Sequence, residues 1–135
     1  MEKVKFEKLE KLYLGKNDIS IINVLENVKF KELKELILSG NKISDIKVLE
    51  SLEFKKLEIL CLNQNKISNI HVLEKANFKE LKILYLNNNN ISDIKILENV
   101  KFKKLKELHL KDNNIDETKF YPIIKILKLE FTTDL

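Results

Sequence analysis

The sequence predicts an α/β fold built as a solenoid of stacked strand-and-helix units, on three observations. Phe6, Phe30, Phe54, Phe78 and Phe102 recur at a fixed interval of 24 residues. Leucines keep the same interval in pairs, Leu12 with Leu14, Leu36 with Leu38, Leu60 with Leu62, Leu84 with Leu86 and Leu108 with Leu110. An asparagine and an isoleucine follow each pair, from Asn17 and Ile19 to Asn113 and Ile115. A fixed period in the twenties means supersecondary units that cannot bury their apolar faces alone, so the chain is read as one domain over residues 1–135. Five repeats start at residues 6, 30, 54, 78 and 102.

Each segment of the unit has its own physical reason. In L-x-L the leucines alternate with an outward residue, the period of a strand, so Leu12 and Leu14 point inward while Tyr13 points out. Stacking such strands about 4.8 Å apart joins the leucine columns into one core. An amide beside apolar columns costs free energy unless its donors and acceptor are paired. The asparagines are therefore expected to form a ladder, each satisfying backbone groups where the strand bends away. After Ile43, Ser44-Asp45 suits a helix cap, and Ile46, Val48, Leu49 and Leu52 have near-helical spacing, which predicts a short outer helix. The phenylalanines then form a spine under the return loop.

Both ends depart from the pattern. Glu2-Lys3-Val4-Lys5-Phe6 parallels Glu26-Asn27-Val28-Lys29-Phe30, so the first strand is expected to present an open edge. Ile21 stands where later repeats have Asp45, Asn69 or Asp93. At the far end Tyr121, Ile124, Leu127, Leu129 and Thr132 fit the repeat positions with a shortened interval. A sixth, capping strand at about 125–131 is expected there, with Pro122 breaking the chain into it.

Composition narrows the function. All 25 basic residues are lysine, against 21 acidic ones, for a net charge of +4. Lysine alternates with glutamate in FEKLEKL, FKELKEL and FKKLKEL, which is the pattern of a solvated rim and not of a phosphate-binding surface, so no nucleic-acid partner is expected. Cys61 is the single cysteine; an intramolecular disulfide is impossible, and a reducing, cytoplasmic setting is expected. No run of eighteen apolar residues occurs and no signal-like segment follows Met1, so no membrane association is expected. Cys61 and His109 lie two strands apart, roughly 10 Å, beyond the reach of a nucleophile and its base. No zinc spacing, Gly-rich phosphate loop or Ser-His-Asp set is present, and Glu26, Glu50, Glu74 and Glu98 fall at equivalent outer positions. Neither catalysis, nor a metal, nor a cofactor is expected.

The unit F-x-x-L-x-x-L-x-L-x-x-N-x-I-S-D-I, complete from Phe30 as FKELKELILSGNKISDI, resembles the leucine-rich repeat. It is most similar to the repeats of the internalins and of the regulators of protein phosphatase 1. The resemblance implies a right-handed solenoid with a parallel sheet on its concave face, short helices on its convex face, and a role in holding other proteins.

Specificity should lie in what the repeats let vary. The position between the leucines is Tyr13, Ile37, Cys61, Tyr85 and His109; the position before them is Lys11, Glu35, Ile59, Ile83 and Glu107. Both columns are expected to face solvent on the concave side. The middle repeats thus set Ile37, Ile59, Cys61, Ile83 and Tyr85 side by side, an apolar patch rimmed by charge. A protein partner is expected there, contacting Tyr13, Glu35, Ile37, Ile59, Cys61, Ile83, Tyr85, Glu107 and His109. The alternative is a structural module that assembles with itself, or with further repeats, through the open N-terminal edge.

Overall fold

The computed structural model describes residues 6–129. Five short strands, β1 (Lys11–Tyr13), β2 (Glu35–Ile37), β3 (Ile59–Cys61), β4 (Ile83–Tyr85) and β5 (Glu107–His109), form one parallel sheet in chain order. Pairing keeps the 24-residue register throughout: Leu12, Leu36, Leu60, Leu84 and Leu108 lie opposite one another. With no slip between layers, identical side chains stack in columns, and Leu36, Leu60, Leu84 and Leu108 are fully buried in a single core.

The predicted outer helices are present as single 3-10 turns, Asn23–Asn27, Lys47–Glu50, His71–Glu74 and Lys95–Asn99. With so few residues outside the sheet, each turn inserts one leucine, Leu25, Leu49, Leu73 or Leu97, into the core. The Ser-Asp signal works through its second member. Asp45 accepts from the Lys47 N–H at 2.8 Å, Asn69 from His71 at 2.9 Å and Asp93 from Lys95 at 3.0 Å, supplying a partner to the first N–H of each turn. Ile21 cannot do this for Asn23.

The phenylalanine spine is real. Ring centroids of Phe6 and Phe30 are 6.3 Å apart, Phe30 and Phe54 5.8 Å, and Phe78 and Phe102 6.2 Å. All but Phe6 are buried.

The asparagine ladder also forms as expected. Asn65 Nδ2 donates to the carbonyls of Leu38 and Leu62, and its Oδ1 accepts from the Ile43 N–H at 3.0 Å. Asn41 and Asn89 repeat the arrangement one layer to either side. Each amide therefore ties its own layer to the preceding one. Among the described residues no buried side-chain nitrogen or oxygen lacks a partner.

The C-terminal expectation needs correction. In place of a strand at about 125–131, an α-helix, α1, spans Glu117–Leu127; residues 130 and 131 lie outside the described residues. The apolar spacing matched to a repeat serves a helix face instead, burying Phe120 and Ile123. Asp116 caps α1 by accepting from the Thr118 N–H at 2.9 Å. Pro122 sits inside α1 and does not break it, at the cost of the N–H that would have reached the Thr118 carbonyl. Since α1 packs on the Lys95–Asn99 turn, deleting Glu117–Leu135 should bare the last apolar layer. The truncated chain is expected to aggregate or to unfold less cooperatively, as light scattering with denaturant titration would show. A soluble, equally stable product would disprove the capping role.

Candidate functional site

The concave site is built by strand alternation: residues flanking each inward leucine project from the sheet on the side away from the core. Register then sets Glu35 beside Ile59, Ile59 beside Ile83 and Ile83 beside Glu107 in one column. In the other, Tyr13 neighbours Ile37, Ile37 neighbours Cys61, Cys61 neighbours Tyr85 and Tyr85 neighbours His109. All nine residues expected at the site are therefore brought onto one face.

Their exposure differs from the expectation. Only Tyr13 stands free, at 60 %. Ile37, Ile59, Ile83 and Tyr85 are half-buried and Cys61 is buried, because short layer spacing lets neighbouring side chains cover one another. Tyr85 stacks on His109 with ring centroids 4.4 Å apart and planes 13° from parallel. What faces solvent is a continuous, mutually supported apolar surface.

Polar groups close the patch at both ends. Lys11 Nζ lies 2.8 Å from Glu35 Oε1, and the Tyr13 hydroxyl donates to the other carboxylate oxygen. The Lys11 ammonium, and after it the Tyr13 hydroxyl, hold the Glu35 carboxyl below its ordinary pKa, while hydrogen bonding to Glu35 raises both partners. At the other end His109 Nε2 sits 3.3 Å from Glu107 Oε2.

Burial pushes the Cys61 thiol up to about 11, with the Glu35 carboxylate adding to the effect. About a hundredfold less thiolate is then present at neutral pH than for a thiol at the ordinary 9.0. Iodoacetamide at pH 8 is expected to alkylate native Cys61 at least about a hundredfold more slowly than the unfolded chain. Rates within a factor of a few of each other would contradict the burial. His109 lies beyond Tyr85 from Cys61, so the structure separates the pair as expected. Among the described residues no group of His, Cys, Asp or Glu could hold a metal ion. No described helix is long and apolar enough to cross a membrane.

One constraint escaped the sequence. Lys16, Gly40, Gln64, Asn88 and Asp112, the second position after each L-x-L, all have φ between 55° and 68°. The column turns the chain out of the strand in the left-handed region, where glycine, asparagine and aspartate are least strained. Its mixture of Gly, Asn and Asp was the available signal. Gln64→Gly is expected to leave stability unchanged or raise it by up to about 1 kcal/mol, measured by urea denaturation; a loss above that would refute strain at this position.

The model for leucine-rich repeats in two copies matches residues 7–51, 31–75 and 79–122. The chain belongs to the leucine-rich-repeat family. Among solved structures, this leucine-rich-repeat chain is similar to an internalin of Listeria monocytogenes, with 28% identity over 96% of this chain and 36% of that one, at a TM-score of 0.77. It is also similar to a leucine-rich-repeat protein of Leptospira interrogans, with 32% identity over 96% of this chain and 32% of that one, at 0.78. A third likeness is to the PEPR1-AtPEP1 structure, at 26% identity over 81% of this chain and 15% of that one, with a TM-score of 0.60. The chain thus spans about a third of the length of the first two. A comparison with curated proteins finds no match. Leucine-rich-repeat proteins generally mediate protein–protein interaction, and the family serves typically as a non-enzymatic scaffold.

Proposed function

We propose that this chain holds a partner protein on its concave sheet, with Ile37, Ile59, Ile83 and Tyr85 as anchors and Glu35, Glu107 and His109 at the margins. The observation that carries this reading is the contrast between columns. On the loops leading into the strands the outward positions carry charge, and several pair across layers: Lys31 with Glu7, Lys56 with Glu32 and Lys104 with Glu80. On the sheet such pairing is found between Lys11 and Glu35 at the first two layers, while the strands of the third and fourth layers present Ile59, Cys61, Ile83 and Tyr85 instead of charge. Aromatic and aliphatic anchors inside a polar rim are what a protein interface requires. The buried, disulfide-free Cys61 supports placing this recognition in a reducing compartment, the cytoplasm.

Cross-linking in the native source, followed by calorimetric titration with the recovered protein, tests the site. Tyr85→Ala, Ile59→Ser and Ile83→Ser are expected to weaken binding by about 1–4 kcal/mol each. Glu50→Ala and Glu98→Ala, on the convex side, should leave it unchanged. Because the anchors are half-buried against one another, each patch change should also lower stability by about 1 kcal/mol, which circular dichroism would detect without loss of fold. Normal binding by the patch variants, with loss from the outer ones, would move the site to the convex face.

A further inference from the structure

The core of the solenoid does not distinguish one layer from another. Leu36, Leu60 and Leu84 are identical and fully buried, as are Leu38, Leu62 and Leu86, so on apolar contact alone any of these layers would seat on any other. Neighbours can be told apart only by positions that differ between repeats, and two of these alternate in sign. Two residues after each phenylalanine stand Lys8, Glu32, Lys56, Glu80 and Lys104; two residues further on stand Glu10, Lys34, Glu58, Lys82 and Lys106. In every layer before the last, one of the two is therefore basic and the other acidic, with the order reversed from each layer to the next.

The ion pairs follow this alternation. Lys34 reaches back one layer to Glu10 at 3.2 Å, Lys56 to Glu32 at 2.5 Å, Lys82 to Glu58 at 2.7 Å and Lys104 to Glu80 at 2.6 Å. Each junction between consecutive strands thus has one such pair, drawn from the two columns in turn. The Lys56 ammonium holds the Glu32 carboxyl below its ordinary pKa, and Lys82 does the same for Glu58, on which Lys34 and Lys104 also act. Charges from the layers on either side therefore meet at one carboxylate.

We propose that this alternation is a stacking code, which favours each layer on its immediate neighbour and opposes any pairing that skips a layer. A skip would set Glu10 against Glu58 and Lys8 against Lys56, or Glu32 against Glu80 and Lys34 against Lys82. Attraction would give way to repulsion in both columns while the leucines fitted as before. A single half-exposed pair contributes little, so the code acts through the difference between matched and conflicting junctions and not through any one bond. The two columns contain none of the residues assigned to the concave site, so the inference is independent of the partner reading.

Urea denaturation of full-length variants at about 0.01 M and about 1 M salt tests this, because the reach of exposed charges shrinks from about 30 Å to about 3 Å between the two. Lys56→Glu with Glu58→Lys keeps composition and net charge but turns the unlike neighbours of the β3 layer, Glu32, Lys34, Glu80 and Lys82, into like ones. At low salt its folded-to-unfolded ratio is expected to fall at least about tenfold, against no more than about threefold for Lys56→Gln with Glu58→Gln; at high salt the two should agree. Folding of the reversed variant in high salt alone would support the proposal, and folding in neither would count against it. Layer order is read by a second pair of chains, each with residues 54–101 duplicated after residue 101, in one as they stand and in the other with 78–101 placed before 54–77. Both have the same composition, but the second sets Glu80 and Lys82 against their own copies. The first is expected to unfold at the higher urea concentration in low salt, with the gap closing in high salt. A reversed β3 layer no less stable than the neutral one, a gap that survives high salt, or equal midpoints for the two orders would overturn the proposal.

Discussion

Asn65→Leu is expected to destabilise the protein by about 3–6 kcal/mol, the largest effect of any single substitution considered. Three buried backbone groups lose their partner at once: the Ile43 N–H and the carbonyls of Leu38 and Leu62. A buried polar group left unpaired costs about 1–3 kcal/mol, and leucine replaces none of the three bonds. At the exposed end of the ladder the same change should cost far less. Asn17 donates to the carbonyls of Leu14 and Gly15 at positions open to water, which can replace it, so Asn17→Leu should fall near 1 kcal/mol. Urea denaturation of the two variants gives the comparison. Equal losses, or an unchanged midpoint for Asn65→Leu, would show that the ladder carries no stability.

Leu60→Ala comes next, at about 2–5 kcal/mol. Leu60 is fully buried between Leu36 and Leu84, and short strands held in register by their neighbours cannot close around the cavity. Lys56→Ala, four residues earlier, should cost no more than about 0.5–1 kcal/mol. Its ion pair with Glu32 is half-exposed on both sides, where water screens most of the attraction. Denaturant midpoints with unchanged slopes would confirm that both numbers report the folded state. Equal losses would mean that the inward and outward faces are misassigned.

Much of this was legible in the chain because repetition removes ambiguity. One L-x-L segment could be a strand or part of a helix, but five copies in phase with an asparagine five positions after the first leucine admit one arrangement. The columns expected to share the concave face do share it, since strand alternation and a constant register leave them nowhere else. What failed is instructive. Tyr121, Ile124 and Leu127 fit the repeat and also fit a helix face, and with no further copy to fix the period, local helix signals prevailed: the Asp116 cap and the run Glu117–Phe120. The exposure of the apolar patch was overestimated because a sequence shows which side a residue faces but not how closely its neighbours crowd it.

By itself, the sequence determined the period, the strand and turn positions, the ladder and the inward and outward faces, because each depends on chemistry repeated within a 24-residue unit. Tertiary structure alone decided the rest. Whether the last segment would cap as strand or helix depended on how Phe120 and Ile123 could reach the final layer. Cys61 became buried, and its thiol harder to ionise, only when the register set it between Ile37 and Tyr85. The left-handed residues Lys16, Gln64, Asn88 and Asp112 were set by the need to leave each strand in the same direction. The two ends came to differ because stacking covers every layer that has a neighbour, and α1 covers the last, while Leu12, Val24 and Phe6 remain in contact with solvent.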